Sequence, residues 1–223
     1  MTLLPPFMQG LMGYPVIDVG YLLAPRGVGT MFAMMLVGRL SGRVDVRILI
    51  LLGLLLTSFS MWEMTLFNTD ISSWDIVRTG IVQGLGLGFI FVPLSTITFA
   101  TLAPRYRNEG TALFSLVRNI GSSIGISVVI TYLAQRTQMN HEMFASYITP
   151  FNAGLQQGMG TAALVTPKGL AMLNGEVTRQ ASLLAYLQDF RLMMWVSLCA
   201  IPLVLLLKAP KRGGGKEALA ILE

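Results

Sequence analysis

Five long apolar stretches constrain this chain more than anything else in it. A helix crosses the hydrocarbon layer of a bilayer with about 20 mainly apolar residues. Five segments meet that length: Val19 to Leu40, Ile48 to Phe67, Trp74 to Leu102, Gly110 to Tyr132 and Asp189 to Leu207. Of the 223 residues, 53% are hydrophobic and only 12% charged, whereas a soluble domain carries roughly 25% charged residues. So few charges cannot coat a globule of this size, which excludes a soluble enzyme. Disorder is excluded because the chain has ample apolar material to bury. The net charge of +5 raises the question of nucleic acid, but the basic residues fall between apolar runs and serve the membrane, so no nucleic-acid partner is expected. One cysteine, Cys199, and one histidine, His141, exclude a disulfide framework and a clustered metal site. The composition calls for no cofactor. The expected fold class is an all-α integral membrane protein with about five transmembrane helices.

Charge sets the expected orientation. Arg39, Arg43 and Arg47 lie between the first two spans, Arg105 and Arg107 between the third and fourth, and Lys208, Lys211, Arg212 and Lys216 after the last. These alternate segments hold nine of the sixteen basic residues, while Asn68–Ser73 on the other side has one acid and no base. Positive-inside logic places the basic segments and the carboxy terminus in the cytoplasm. The amino terminus then lies outside, yet it shows no signal peptide. Leu3-Leu4-Pro5-Pro6-Phe7-Met8 is apolar, too short and too proline-broken to span. The expected organisation is therefore the tail of a truncated preceding helix with an outer loop (1–18), four helices with short loops (19–134), and a long extracytoplasmic loop (135–188) that turns helix-friendly from Gly175 and runs into the last helix. The last helix (189–207) and a basic cytoplasmic tail (208–223) complete it. The chain reads as a fragment, or a split gene product, of a larger transporter.

Arg118 is the sharpest polar signal. It lies eight residues inside the fourth span, roughly 12 Å from its cytoplasmic end, and an arginine at such depth normally faces a polar cavity or a partner. Gly121, Ser122 and Gly125 share its face and Asn119 is adjacent. The alternative is a structural arginine tying the helix to loop carbonyls. Arg26, in the first span, is flanked by Pro25, Gly27 and Gly29, which weaken the helix there. Broken helices at membrane depth are tolerated where they line water or a site; an arginine reaching for headgroups is the other reading. Gly80, Gly84 and Gly88 recur at four-residue spacing in the third span, which lets another helix approach closely. Pro93 follows and should bend that helix. Gln83 on the same face could meet a ligand, though a helix contact explains it as well. Glu63 and Asp189 are shallow enough to be solvated, and Asp75 and Arg78 form an i, i+3 pair. His141 falls in the outer loop.

The first loop reads Gly38-Arg39-Leu40-Ser41-Gly42-Arg43-Val44-Asp45-Val46-Arg47. It must turn tightly, and Asp45 is placed to cap the next helix and pair with an arginine. This stretch resembles the second copy of the cytoplasmic glycine–basic loop of the major facilitator superfamily, with Gly42 where that motif usually has an acid. Phe91 to Ala100, then Arg107-Asn108-Glu109-Gly110-Thr111-Ala112, and Leu116 to Gly125 resemble the EmrB/QacA type of fourteen-helix drug/proton antiporter. Leu22-Leu23-Ala24-Pro25-Arg26-Gly27 and the long outer loop fit the same group.

The resemblance implies the carboxy-terminal bundle of a transporter in the inner membrane, whose amino-terminal half has no counterpart here. It implies export of lipophilic or cationic drugs against proton entry, and a periplasmic adaptor as partner. Arg118, Arg26, Asn119, Ser122 and Gln83 are then the expected substrate or proton-pathway residues. Gly80, Gly84, Gly88, Pro93, Gly121 and Gly125 serve packing and bending. Gly38, Arg39, Gly42, Arg43, Asp45 and Arg47 form a cytoplasmic gating loop. A second hypothesis is a non-transporting membrane scaffold left by a truncated gene. An intramembrane enzyme ranks last, because no paired acids, metal-ligand cluster or nucleophile–base set lies at membrane depth.

Overall fold

A computed structural model describes residues 2–40, 43–100, 102–148 and 166–206. The chain folds as α1 (Leu4–Gly10), α2 (Val16–Leu40), α3 (Val46–Met64), α4 (Ser73–Ala100), a 3-10 turn (Pro104–Tyr106), α5 (Arg107–Ser146) and α6 (Pro167–Leu206). No strand occurs among the described residues. Five of these helices, α2 to α6, are long and apolar enough to cross a membrane.

The short α1 starts with Pro5 and Pro6 in its first turn, where a missing N–H costs nothing because that donor has no partner inside the helix. Its Phe7 and Met8 are fully buried and join Val19 of α2, Met61 and Met64 of α3, Ile76 of α4, and Tyr186 and Phe190 of α6 in one cluster. Phe7 meets Tyr186 and Phe190 edge-on, with ring centres 5.4 Å and 6.2 Å apart. These seven residues of helix thereby wedge four longer helices together at one end of the bundle. Gly13, at φ +71°, makes the turn from α1 into α2, a conformation open to glycine because it lacks a Cβ.

Glycine sets the spacing of α2, α3 and α4. A Cβ on Gly88 would stand 2.5 Å from the Ala33 Cβ and 2.9 Å from the Thr30 carbonyl oxygen of α2. One on Gly86, facing the other way, would stand 2.8 Å from the Gly53 carbonyl oxygen of α3. Helix α4 thus presents glycine to both neighbours, and the backbones approach as close as peptide groups allow. Ser60 of α3 donates a buried hydrogen bond to the Thr79 carbonyl of α4 at 2.9 Å. Pro25 and Pro93 both lie inside unbroken helices. The expected break at Pro25 does not form; directly after the proline, α4 packs against α2 from Arg26 through Gly29 to Ala33.

Helices α5 and α6 depart most from the sequence expectation. Each has 40 residues, about 60 Å of helix against a hydrocarbon layer of about 30 Å. Residues 135–146 and 167–174, expected as loop, are helical, while 175–190 runs into the last span as a helix, as its composition suggests. The reason is local: no proline or glycine interrupts 126–146, and Pro167 opens a helix rather than ending one. The extensions pair as an antiparallel hairpin. Asn140, 3% exposed, donates to the Ala181 carbonyl at 3.3 Å, and His141 Nε2 shares a hydrogen bond with Asn174 Oδ1 at 3.0 Å. His141 is therefore a helix residue with a partner. Pro150, Gly154, Gly158 and Gly160, and the tail 208–223, lie outside the described residues.

Candidate functional site

Toward the end of the bundle away from α1, α5 leaves α6 and stands apart. None of its apolar window is buried within the chain. Near its start Phe114 meets Phe99 of α4 edge-on at 5.7 Å. Arg118 lies on this open stretch, exposed, with its guanidinium carbon 5.5 Å from the centre of the Phe91 ring of α4. At that separation the cation is attracted by the ring's negative face. Asn119 and Ser122 are exposed beside it, and the Ser122 hydroxyl donates to the Asn119 carbonyl at 2.9 Å. A cavity of about 520 Å³ opens between α5, α6 and the start of α1, lined by Leu3, Ser122, Gly125, Val129, Met193 and Ser197.

Arg26 occupies different surroundings. It is 4% exposed within the α2–α4 contact, and its Nε has no hydrogen-bond partner among the described residues. A Cβ on Gly84 would strike the Arg26 carbonyl oxygen, and one on Gly80 would stand 3.7 Å from the Arg26 Cβ. Glycines at these two positions make room for the arginine. Gln83, also 4% exposed, faces α3: its Nε2 approaches the Met61 sulfur at 3.9 Å, and its Oε1 is buried without a partner among the described residues.

The five residues expected along one pathway therefore divide. Arg118, Asn119 and Ser122 share the open side of α5, whereas Arg26 and Gln83 are inside the α2–α3–α4 packing. Gly121 and Gly125 differ from the glycines of α4: a Cβ on either would meet nothing within 4 Å, so none of the described helices packs on them. In the first loop, Gly38, Arg39, Arg43 and Asp45 are exposed, and Gly42 lies outside the described residues. Asp45 takes the N-cap position of α3 but makes no side-chain cap hydrogen bond. No ion pair to it occurs among the described residues. Arg47 Nε is buried and without a partner among them.

Two carboxylates are misread by the sequence. Glu63 is not solvated; its side chain is 12% exposed and accepts a hydrogen bond from Arg78 at 2.8 Å. Asp189 is fully buried, and neither of its oxygens has a partner among the described residues. A signal for the second was present: Ala181, Ala185 and Asp189 recur every fourth residue, and all three are fully buried. Two alanines on a face invite a neighbouring helix to close over whatever comes next on it.

Five membrane-length helices, glycine-packed on one side and bare on the other, define a polytopic helical membrane bundle. The model of the Major Facilitator Superfamily matches residues 1–126, and the chain belongs to that family. It is similar to the fatty acid resistance protein FarB of Neisseria gonorrhoeae, at 29% identity over 96% of this chain and 43% of that protein. It is similar also to the multidrug export protein EmrB of Escherichia coli K12, at 24% identity over the same shares of each. The probable multidrug resistance protein EmrY of that strain is 26% identical over 86% of this chain and 38% of its own length. The chain thus spans less than half the length of these relatives.

Proposed function

We propose that this chain forms the carboxy-terminal bundle of a proton-coupled exporter of lipophilic or cationic compounds, working in the inner membrane by alternating access. The names of its relatives, which speak of multidrug export and fatty acid resistance, support the substrate class. The observation that carries the reading is the bare face of α5. A polar stripe of Arg118, Asn119 and Ser122 on an otherwise apolar helix is costly against lipid. Against a second helical bundle it becomes one wall of a wet passage.

In this reading Arg118 moves between two environments. With the passage open, water solvates the guanidinium; with it closed, the Phe91 ring and the opposing bundle replace that water, and the cation–ring attraction strengthens as solvent leaves. Bundles of this kind rock about a midplane site. Gly38, Arg39, Gly42, Arg43, Asp45 and Arg47 form the cytoplasmic latch, and the carboxy terminus lies in the cytoplasm. Arg26 and Gln83 hold α2, α3 and α4 in register rather than touching cargo. A periplasmic adaptor would dock on the α5–α6 hairpin, which projects beyond the bilayer.

The test uses everted membrane vesicles from cells expressing the chain, alone or with the amino-terminal bundle of a relative. A pH gradient should drive uptake of a lipophilic cationic dye, and a protonophore should release it. Arg118→Ala should abolish uptake without changing the amount of protein in the membrane. Full uptake in that variant removes Arg118 from the mechanism. No gradient-driven uptake under either condition leaves the chain a membrane scaffold.

A further inference from the structure

On the other side of the α5–α6 pair lies a groove of about 780 Å³. It begins between the two helices and continues along the face of α6. At its upper end it is lined by Arg136 of α5 and Arg191 of α6. Each marks the boundary of its helix's apolar stretch: Leu192–Leu206 contains no charged residue, and between Gly110 and Arg136 the only one is Arg118. One turn deeper come Tyr132 and Trp195, and below them Cys199 and Leu203 on α6. The order along the groove is therefore guanidinium pair, aromatic pair, aliphatic floor, over about 18 Å between Arg191 and Leu203. Trp195 is 55% exposed and Leu203 65% exposed, so the groove faces out of the bundle.

We propose that this groove is a binding seat for one anionic phospholipid of the leaflet nearer the 147–166 connection. The guanidinium pair takes the headgroup phosphate and Trp195, Cys199 and Leu203 take an acyl chain. Charge complementarity selects the occupant. Neither arginine makes an ion pair among the described residues, and no carboxylate lines the groove, so a zwitterionic headgroup finds no partner for its ammonium. Arg136 stacks on Tyr132, its guanidinium carbon 4.9 Å from the ring centre. Stacking fixes the plane of the guanidinium while leaving its edge N–H groups free for phosphate oxygens. Aromatic residues one turn inside the charges lie at headgroup depth, where Trp and Tyr are favoured. The seat depends only on membrane insertion, not on transport.

The test reads Trp195 in a Trp62→Phe, Trp74→Phe background, with the chain reconstituted in bilayers containing dibrominated phosphatidylglycerol or dibrominated phosphatidylcholine. The anionic lipid should quench Trp195 at a roughly tenfold lower mole fraction. Arg136→Gln with Arg191→Gln should bring its curve onto that of the zwitterionic lipid, and the double lysine variant should keep most of the preference. Equal quenching by the two lipids in the unsubstituted seat overturns the proposal, as does a preference that survives the double glutamine variant. Stronger quenching by a brominated fatty acid than by the anionic phospholipid also overturns it, and assigns the groove to a free carboxylate.

Discussion

Arg78 of α4 donates to Glu63 of α3 across 2.8 Å, tying two neighbouring helices at the α1 end of the bundle. Asp75 stands 3.9 Å from the same guanidinium, so Arg78 bridges two acids. The pair is half wet, with side chains 53% and 12% exposed, and is worth about 0.5–1 kcal/mol by analogy with other partly exposed pairs. Glu63→Gln should lower the melting temperature in detergent by a small amount that shrinks in high salt.

Asp189 should behave in the opposite way. Its buried oxygens have no partner among the described residues, and a buried polar group without a partner costs stability. Asp189→Asn keeps the shape and removes the ionisable group. The melting temperature at neutral pH should be equal or higher. A clear fall would mean that the carboxylate has a partner contributed by residues not described.

The two sets of glycines give a paired test of packing. Gly88→Ala should destabilise the bundle by about 1–3 kcal/mol, because the new methyl meets the Thr30 carbonyl and the Ala33 methyl, neither of which can rotate away. Gly121→Ala meets nothing within 4 Å and should stabilise α5 by up to about 1 kcal/mol through helix propensity. Thermal unfolding of the two variants side by side would settle it. A Gly121→Ala variant that folds normally but no longer moves dye would place the opposing bundle on that residue.

Arg118 separates function from folding. Its ring contact with Phe91 is exposed and contributes about 0.5–1 kcal/mol, so Arg118→Ala should shift the melting temperature little. Transport should nonetheless be lost, and Arg118→Lys should restore part of it by keeping the charge.

Cys199 reports depth. It is exposed on α6, eight residues or about 12 Å inside Arg191. In intact membranes neither an apolar nor a charged maleimide should label it, because a thiol in hydrocarbon does not ionise to the reactive thiolate; denaturation in detergent should open it to both. Fast labelling by the charged reagent would put α6 in water and undo the membrane assignment at that helix.

Hydropathy located the spans closely where helix and membrane coincide. The first starts at Val16 rather than Val19, and the second starts at Val46 rather than Ile48 and ends at Met64 rather than Phe67. It failed where helix outruns membrane, in α5 and α6, because a window of apolar residues reports the solvent and not the backbone. The extension 135–146 is helical for lack of breakers, and 167–174 is helical despite Gly169 because it pairs with that extension, His141 with Asn174. The candidate site was legible in its residue types: Arg118, Ser122 and the glycines stand out against an apolar background. Their neighbours were not. Nothing local distinguishes Gly88, pressed against α2, from Gly121, facing open space.

What the sequence determined by itself is the solvent: too few charges for water and five stretches long enough for lipid fix a helical membrane bundle whatever the packing. The tertiary structure decided which polar groups face which surroundings. It buried Arg26 and Asp189, joined Glu63 to Arg78, and left Arg118 on the open side of α5. The physical reason is that apolar length is additive along a chain, whereas the environment of a side chain depends on the helix that approaches it. That approach is set by glycine and alanine faces on two partners at once.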